Sequence, residues 1–257
     1  MPDLLYEVKE NIAYITINRE ANRNSISSEV VECFLEKLDT AESDNNVRVV
    51  CISGAGEKVF CSGADLGSGI GQESGKDIQP FKNYAKLLTR LTKFPKPTLA
   101  KINGHCMAGG TGFMLACDIV IAKDDAKFGT PEVNVGLFPM MIGALIFRNV
   151  LRKKAMEMMF LGEKLTAQEA LEMGMITRAV PKDQFASEVE KVLKTIASKS
   201  PIGLRIGKEA LRDIETMDLE ESIHFLSGKL VEVVGTQDAV EGITAFLEKR
   251  TPEFQGK

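Results

Sequence analysis

The residues of this chain that could do chemistry together lie between positions 98 and 139. An apolar, strand-like run, Thr98 to Ile102, enters a loop of small residues that holds Gly104, Gly109, Gly110 and Gly112, and an apolar helical run, Phe113 to Cys117, follows. About twenty residues on, one carboxylate, Glu132, comes directly after Pro131 in another loop. Glycines at a strand-to-helix turn let backbone N–H groups approach a ligand closely, with the positive end of a helix behind them. Such a turn suits a developing oxyanion. A solitary acid nearby suits proton transfer. Glu132 can also be read as an ordinary surface carboxylate, but its Gly-Thr-Pro-Glu setting between apolar runs favours a buried, tuned acid.

Other candidates carry less. Gly54-Ala-Gly56 follows a strand, but a dinucleotide-binding fingerprint needs a third glycine at position 59, where Val59 stands. Ser62 lacks the Gly-x-Ser-x-Gly flanks of a nucleophile elbow, and the only histidines, His105 and His224, are far apart. Cys61 and Cys106 read as small apolar packers. His105 reads as a satisfied loop histidine before it reads as a base. Met140 and Met141, after Pro139, fit either core filling or a pliable wall for an acyl chain.

These residues need a scaffold, and the chain is long enough to build one. Its 257 residues are 44% apolar and 26% charged, with a formal net charge of −4. That charge, and scattered basic residues apart from Arg152-Lys153-Lys154, speak against nucleic acid as a partner. Five cysteines, an odd number without a CxxC pair, fit free thiols in a reducing compartment, and a metal site is not expected. No stretch approaches the ~20 apolar residues of a membrane span. The opening Met-Pro-Asp-Leu-Leu-Tyr-Glu lacks the features of a signal peptide, so a cytoplasmic protein is expected.

Two strands, 4–9 and 12–18, should flank a tight turn at Glu10-Asn11, with Ala13, Ile15 and Ile17 on one face and Ile12, Tyr14 and Thr16 on the other. A helix capped by Ser27 or Ser28 should carry Val30, Val31, Phe34, Leu35 and Leu38. Strands at 47–53 and 98–102 alternate with helices at 81–91, 111–117 and 142–150. Residues 67–79, rich in Gly and Ser, read as a mobile loop at a site mouth. After Leu151 the strand signals nearly vanish and helices remain. The expectation is an α/β body over 1–195 and a helical region over 196–257 that covers a face of it or a neighbouring subunit.

Five segments carry a resemblance. Phe60-Cys-Ser-Gly-Ala-Asp-Leu66, Lys101-Ile-Asn-Gly-His-Cys-Met-Ala-Gly-Gly110, Cys117-Asp118-Ile, Phe128-Gly-Thr-Pro-Glu-Val-Asn-Val-Gly136 and Ala239 to Arg250 resemble the enoyl-CoA hydratase/isomerase (crotonase) family, in the family's order. The resemblance implies a spiral of ββα units with a C-terminal helical trimerisation region, assembled as a homotrimer or a dimer of trimers. It implies an acyl-CoA thioester as substrate and no separate cofactor, coenzyme A being part of the substrate. It places the two oxyanion-holding N–H groups at Ala64 and Gly109. Coenzyme A would run along Arg23, Ser25, Ser62, Ala64, Asp65 and Leu66. Lys249 matches a basic position that can reach the nucleotide from an adjoining subunit, or is a surface lysine.

One departure bears on the reaction. Hydratases of the family usually carry two glutamates; the second matches Glu132, and the first position is Gly112 here. A single acid resembles the Δ3,Δ2-enoyl-CoA isomerases, in which one carboxylate moves a proton from C2 to C4. Phe138, Met140, Met141 and open space at Gly112 would form the acyl pocket. Isomerisation by Glu132 is therefore expected, with hydration of a 2-enoyl-CoA or a non-catalytic acyl-CoA-binding role as the alternatives.

Overall fold

The structure is a computed structural model that describes residues 2–65 and 78–257. Leu66, and all of the expected mobile loop except residues 78 and 79, fall outside the described residues. The chain opens with β1 (Leu4–Lys9) and β2 (Ile12–Ile17). Glu10 and Asn11, at φ 51° and 64°, join them as a two-residue turn whose left-handed backbone matches the twist of a hairpin. Helix α1 (Ser28–Ser43) follows, its first turn capped by Ser27 Oγ, which accepts from Val30 N–H. The body continues with β3 (Val49–Gly54), β4 (Val59–Cys61), α2 (Gln79–Thr92), β5 (Thr98–Ile102), β6 (His105–Met107), α3 (Gly109–Leu115), β7 (Ile119–Lys123) and β8 (Lys127–Gly129).

Then come α4 (Met140–Asn149), α5 (Arg152–Leu161), β9 (Leu165–Thr166), α6 (Ala167–Glu172), β10 (Arg178–Val180) and α7 (Lys182–Ala197). The chain closes with α8 (Pro201–Asp213), α9 (Leu219–Val234) and α10 (Gln237–Glu248). Two sheets result. The larger runs β1-β2-β3-β5-β7-β10, parallel except for the first pair. The smaller runs β4-β6-β8-β9, with β4, β6 and β8 parallel and β9 antiparallel. From β3 to β8 each turn of the chain lays one strand in the large sheet and the next in the small one before a helix returns it, which is the ββα spiral.

Alternation along β2 divides the core. Ala13, Ile15 and Ile17 join the main core with Phe34, Phe60, Phe113 and Phe128. Ile12 and Tyr14 face the other way, where Val49, Cys51, Leu99 and Ile121 meet Phe185, Val189 and Leu193 of α7. Both faces of the large sheet are thus covered, as mostly parallel strands require. The boundary expected at 195/196 falls inside α7, whose apolar face belongs to this second layer.

The region after Leu151 is not helical throughout: β9 pairs with β8 and β10 with β7. Strands of two and three residues carry too little alternation to be read from sequence, and the edges of sheets already formed recruit them. The same brevity hides β6 and β8.

Candidate active site

The site stands at the C-terminal end of the small sheet. Strands β4, β6 and β8 lie side by side, with Cys61 opposite Cys106 and Cys106 opposite Phe128. Neighbouring strands are ~4.8 Å apart, so whatever leaves their ends emerges together. The chain leaves β4 into Ser62-Gly63-Ala64, β6 into Ala108-Gly109, and β8 into Thr130-Pro131-Glu132. Three segments spread over seventy positions of sequence thereby meet on one edge.

The first bend is held by β-like pairing to a loop near the N-terminus. Ile26 N–H donates to Gly63 O at 2.8 Å, and Asp65 N–H donates to Ile26 O at 2.9 Å. Gly63 has φ +94°, and a Cβ there would lie 2.6 Å from Ala108 Cβ and 3.0 Å from Gly109 N. Only glycine lets the first bend rest against the second. Ala108, at φ 50° and ψ −127°, is an alanine in a sparsely populated conformation, directly before Gly109. Its N–H bonds to Gly129 O and its O accepts from Thr111 N–H, both at 2.9 Å. Among the described residues, neither Ala64 N–H nor Gly109 N–H donates a hydrogen bond.

Glu132 sits on a 3-10 turn, Pro131–Val135, closed by Gly136 at φ +76°. Leu137 N–H returns to Glu132 O at 3.0 Å. The turn rests on the end of α5: Asn134 Nδ2 donates to Gly162 O at 3.2 Å, and a Cβ at Gly162 would come within 2.7 Å of Val133 Cγ2. The carboxylate is half-buried, and its Oε2 is buried with no hydrogen-bond partner among the described residues. Burial raises its pKa above the usual carboxylate range, against a smaller lowering by its own backbone N–H.

Gly112 contradicts the expectation of open space. A Cβ there would lie 2.5 Å from Tyr84 Oη, 2.6 Å from Ile142 Cγ2 and 3.2 Å from Leu88 Cδ2. The volume is filled by α2 and α4, so Gly112 gives no room to an acyl chain. Tyr84 had no sequence signal of function. It shares a helical face with Leu87, Leu88 and Leu91, all buried, and its hydroxyl finds its acceptor, Gly109 O, at 2.5 Å, twenty-five residues away. Its ring meets Phe113 edge-on at 5.7 Å, and Phe113 stacks on Phe34 at 5.4 Å.

The other expected residues divide. Ser25 and Asp65 are brought together by Arg19, the second residue that sequence reading missed. Its Nη1 donates to Ser25 O and Oγ, and its Nη2 to Asp65 Oδ2 at 2.8 Å. Half-buried Ser62 donates its N–H to the carbonyl of exposed Arg23 at 3.2 Å. Lys249 is exposed at the end of α10, and among the described contacts nothing joins it to these residues. Met141 is half-buried against the core. Phe138 and Met140 are exposed among the described residues. Met140 is 74% exposed because the first turn of α4 turns Ile142 and Ile146 inward instead. Phe138 leans on Phe160 at 6.2 Å. His105 is exposed, and its Nδ1 accepts from Lys127 N–H.

Two unpartnered amides and one desolvated carboxylate at a sheet edge can bind a carbonyl and move a proton beside it. A family profile described as Enoyl-CoA hydratase/isomerase matches residues 7–257. The chain belongs to that family. The 2,3-dehydroadipyl-CoA hydratase of Escherichia coli K12 is 31% identical over 260 residues, covering 100% of both chains. The human mitochondrial enoyl-CoA hydratase domain-containing protein 3 is 34% identical over 95% of this chain and 80% of its own length. Among solved structures, the enoyl-CoA hydratase of Bacillus anthracis superposes with a TM-score of 0.95 at 31% identity, covering 100% of each chain. A crystal structure of human enoyl coenzyme A hydratase domain-containing protein 3 gives 0.94 at 32%, over 98% of this chain and 100% of that one. An enzyme of the enoyl-CoA hydratase/isomerase family acts on acyl-CoA thioesters, and the ββα spiral of this chain is the family's crotonase fold.

Proposed function

We propose that the protein is a Δ3,Δ2-enoyl-CoA isomerase. In this reading Ala64 N–H and Gly109 N–H bind the thioester oxygen. Glu132 takes a C2 hydrogen from a 3-enoyl thioester as a proton. The electron pair left behind spreads over the carbonyl and the C3–C4 double bond, and the two N–H groups stabilise the resulting dienolate oxygen by ~3 kcal/mol each. The same carboxyl then gives its proton to C4, and the double bond ends between C2 and C3. One base suffices, and its desolvation suits a proton shuttle.

The observation that carries this reading is the filled volume at Gly112, with Tyr84 Oη and Ile142 Cγ2 where a side chain would start. A second carboxylate, which would help hold a water for addition, has no place there. Hydration of a 2-enoyl-CoA is the second reading, favoured by the hydratase names of the relatives above. Incubation with 3-hexenoyl-CoA and with 2-hexenoyl-CoA separates the two. Conjugation of the first without water uptake by the second supports isomerisation. Water uptake by the second without conjugation of the first supports hydration. Binding of both without turnover leaves an acyl-CoA-binding protein.

Arg23, Ser25, Ser62, Asp65 and Leu66 bind coenzyme A in this reading. Phe138 and Met140 meet the acyl chain or a neighbouring subunit, and Lys249 reaches the nucleotide across a subunit boundary. Coenzyme A enters with the substrate and no other cofactor is used. Among the described residues no three His, Cys, Asp or Glu side chains gather to hold a metal ion. Assembly is as a homotrimer or a dimer of trimers. Its support is the apolar exposure of the C-terminal helices, where Leu219 is 77% and Phe246 82% exposed. No helix among the described residues is long and apolar enough to cross a membrane. All five cysteines are free, in keeping with the cytoplasm.

A further inference from the structure

Gly109 follows a residue in an unfavourable conformation and precedes another glycine, so the position of its N–H depends on hydrogen bonds to the peptides on either side of it. An alanine at φ 50°, ψ −127° persists only where its surroundings over-determine it. The simplest relief is rotation of the Ala108–Gly109 peptide, which would turn the Gly109 N–H away from the Ala64 bend. Three hydrogen bonds oppose that rotation: Ala108 N–H to Gly129 O, Thr111 N–H to Ala108 O, and Tyr84 Oη to Gly109 O. The first holds Ala108, and the second holds the Ala108–Gly109 peptide by its carbonyl. The third holds the next peptide, Gly109–Gly110, at the first turn of α3, and it is the one that comes from a side chain.

We propose that Tyr84 is a positioning residue of the oxyanion site, holding the Gly109–Gly110 peptide through its hydroxyl, beside the backbone bond on the Ala108–Gly109 peptide, so that the Gly109 N–H stays beside Ala64. The inference rests on the oxyanion role of Gly109 and holds for any enolate reaction at this site. Tyr84 is well placed to impose a position. Its ring is fixed by Phe113, which α1 fixes in turn through Phe34. Its hydroxyl also lies 3.3 Å from where a Gly109 Cβ would be and 2.5 Å from where a Gly112 Cβ would be. It is not a proton carrier: burial pushes the phenol well above its usual range, with the charge of Glu132 adding to the effect. It acts as a neutral donor already engaged with a carbonyl.

A cinnamoyl-CoA carrying a para-dimethylamino group tests this directly, because its absorption moves to longer wavelength as its carbonyl is polarised. The wild-type protein should shift the bound probe to the red. Tyr84→Phe keeps the ring and loses the donor. It should lose at least half of that shift and about 10-fold in kcat, with KM changed by less than about 3-fold. Gly112→Ala leaves the hydroxyl in place but pushes it off Gly109 O, and should show the same loss. The double variant should lose no more than either single one. If Tyr84→Phe fails to fold, Gly112→Ala carries the test. A full red shift and full kcat in both variants, or a loss confined to KM, overturns the role of Tyr84. No shift in the wild-type protein overturns the oxyanion reading itself, and the positioning role with it.

Discussion

Glu132 is a carboxylate with one buried oxygen that finds no partner among the described residues, which costs stability. Glu132→Gln should lower turnover by about 10³-fold while leaving acyl-CoA affinity nearly unchanged, as loss of a proton carrier does. Titration gives a second prediction. The base must be ionised to act, and burial raises its pKa. The acid limb of kcat/KM should therefore fall above the ordinary glutamate pKa of about 4.3, with activity rising as pH increases through it. Stability runs the other way. With a folded-state pKa above the unfolded one, the favourable neutral form is fully populated below the unfolded pKa and is lost as pH rises through the folded pKa. Thermal melts should show Glu132→Gln more stable than wild type at neutral pH, the gain disappearing toward about pH 4. Gly112→Glu should not yield a hydratase. With Tyr84 Oη at 2.5 Å and Ile142 Cγ2 at 2.6 Å from its first carbon, it should cost about 1–3 kcal/mol in denaturant unfolding.

Elements explain why these residues meet. Three short parallel strands end together, and the loops beyond them carry Ala64, Gly109 and Glu132. The loop before α1 is tied down by Asn24, whose Nδ2 donates to Ala55 O and Val59 O and whose Oδ1 accepts from Arg19 N–H. Asn24→Ala would take a hydrogen-bond partner from three half-buried backbone groups. It should cost about 3 kcal/mol of stability by denaturant titration and weaken coenzyme A binding, because Arg19, Ser25 and Asp65 hang on the same loop. Long elements were legible because their periodicity spans several turns: the apolar spacing of α1 and the alternation of β2 both survive in the fold. Strands of two or three residues were not, since pairing to an existing edge, and not their own sequence, makes them strands. Glu132 and the glycine bends could be read because their residue types are unusual for their context. Tyr84 and Arg19 could not. Tyr84 acts through one polar atom on a partner far along the chain and lies on a helix face that reads as plain core, and Arg19 acts through a guanidinium that joins Ser25 to Asp65 across the fold.

At the scale of the whole molecule, α9 and α10 leave Leu219, Leu230, Val231, Ile243, Phe246 and Leu247 exposed, which is the support for the proposed assembly. Light scattering should give about three times, or six times, the 28.1 kDa chain mass. Phe246→Glu, at a side chain 82% exposed, should shift the protein toward smaller species without unfolding the ββα body. The order of elements made this region readable as helical, although the exposed faces themselves show only in three dimensions. The proposed chemistry lies at the small-sheet edge, and one labelling experiment reaches it. The protein is given 3-hexenoyl-CoA deuterated at C2 in ordinary water, and the position of the label in the product is read by NMR. A single carboxyl that takes and returns the same hydrogen predicts conjugated product with deuterium at C4, and none from Glu132→Gln. Conjugation at the wild-type rate by Glu132→Gln, or no conjugation by the wild-type protein, would contradict it.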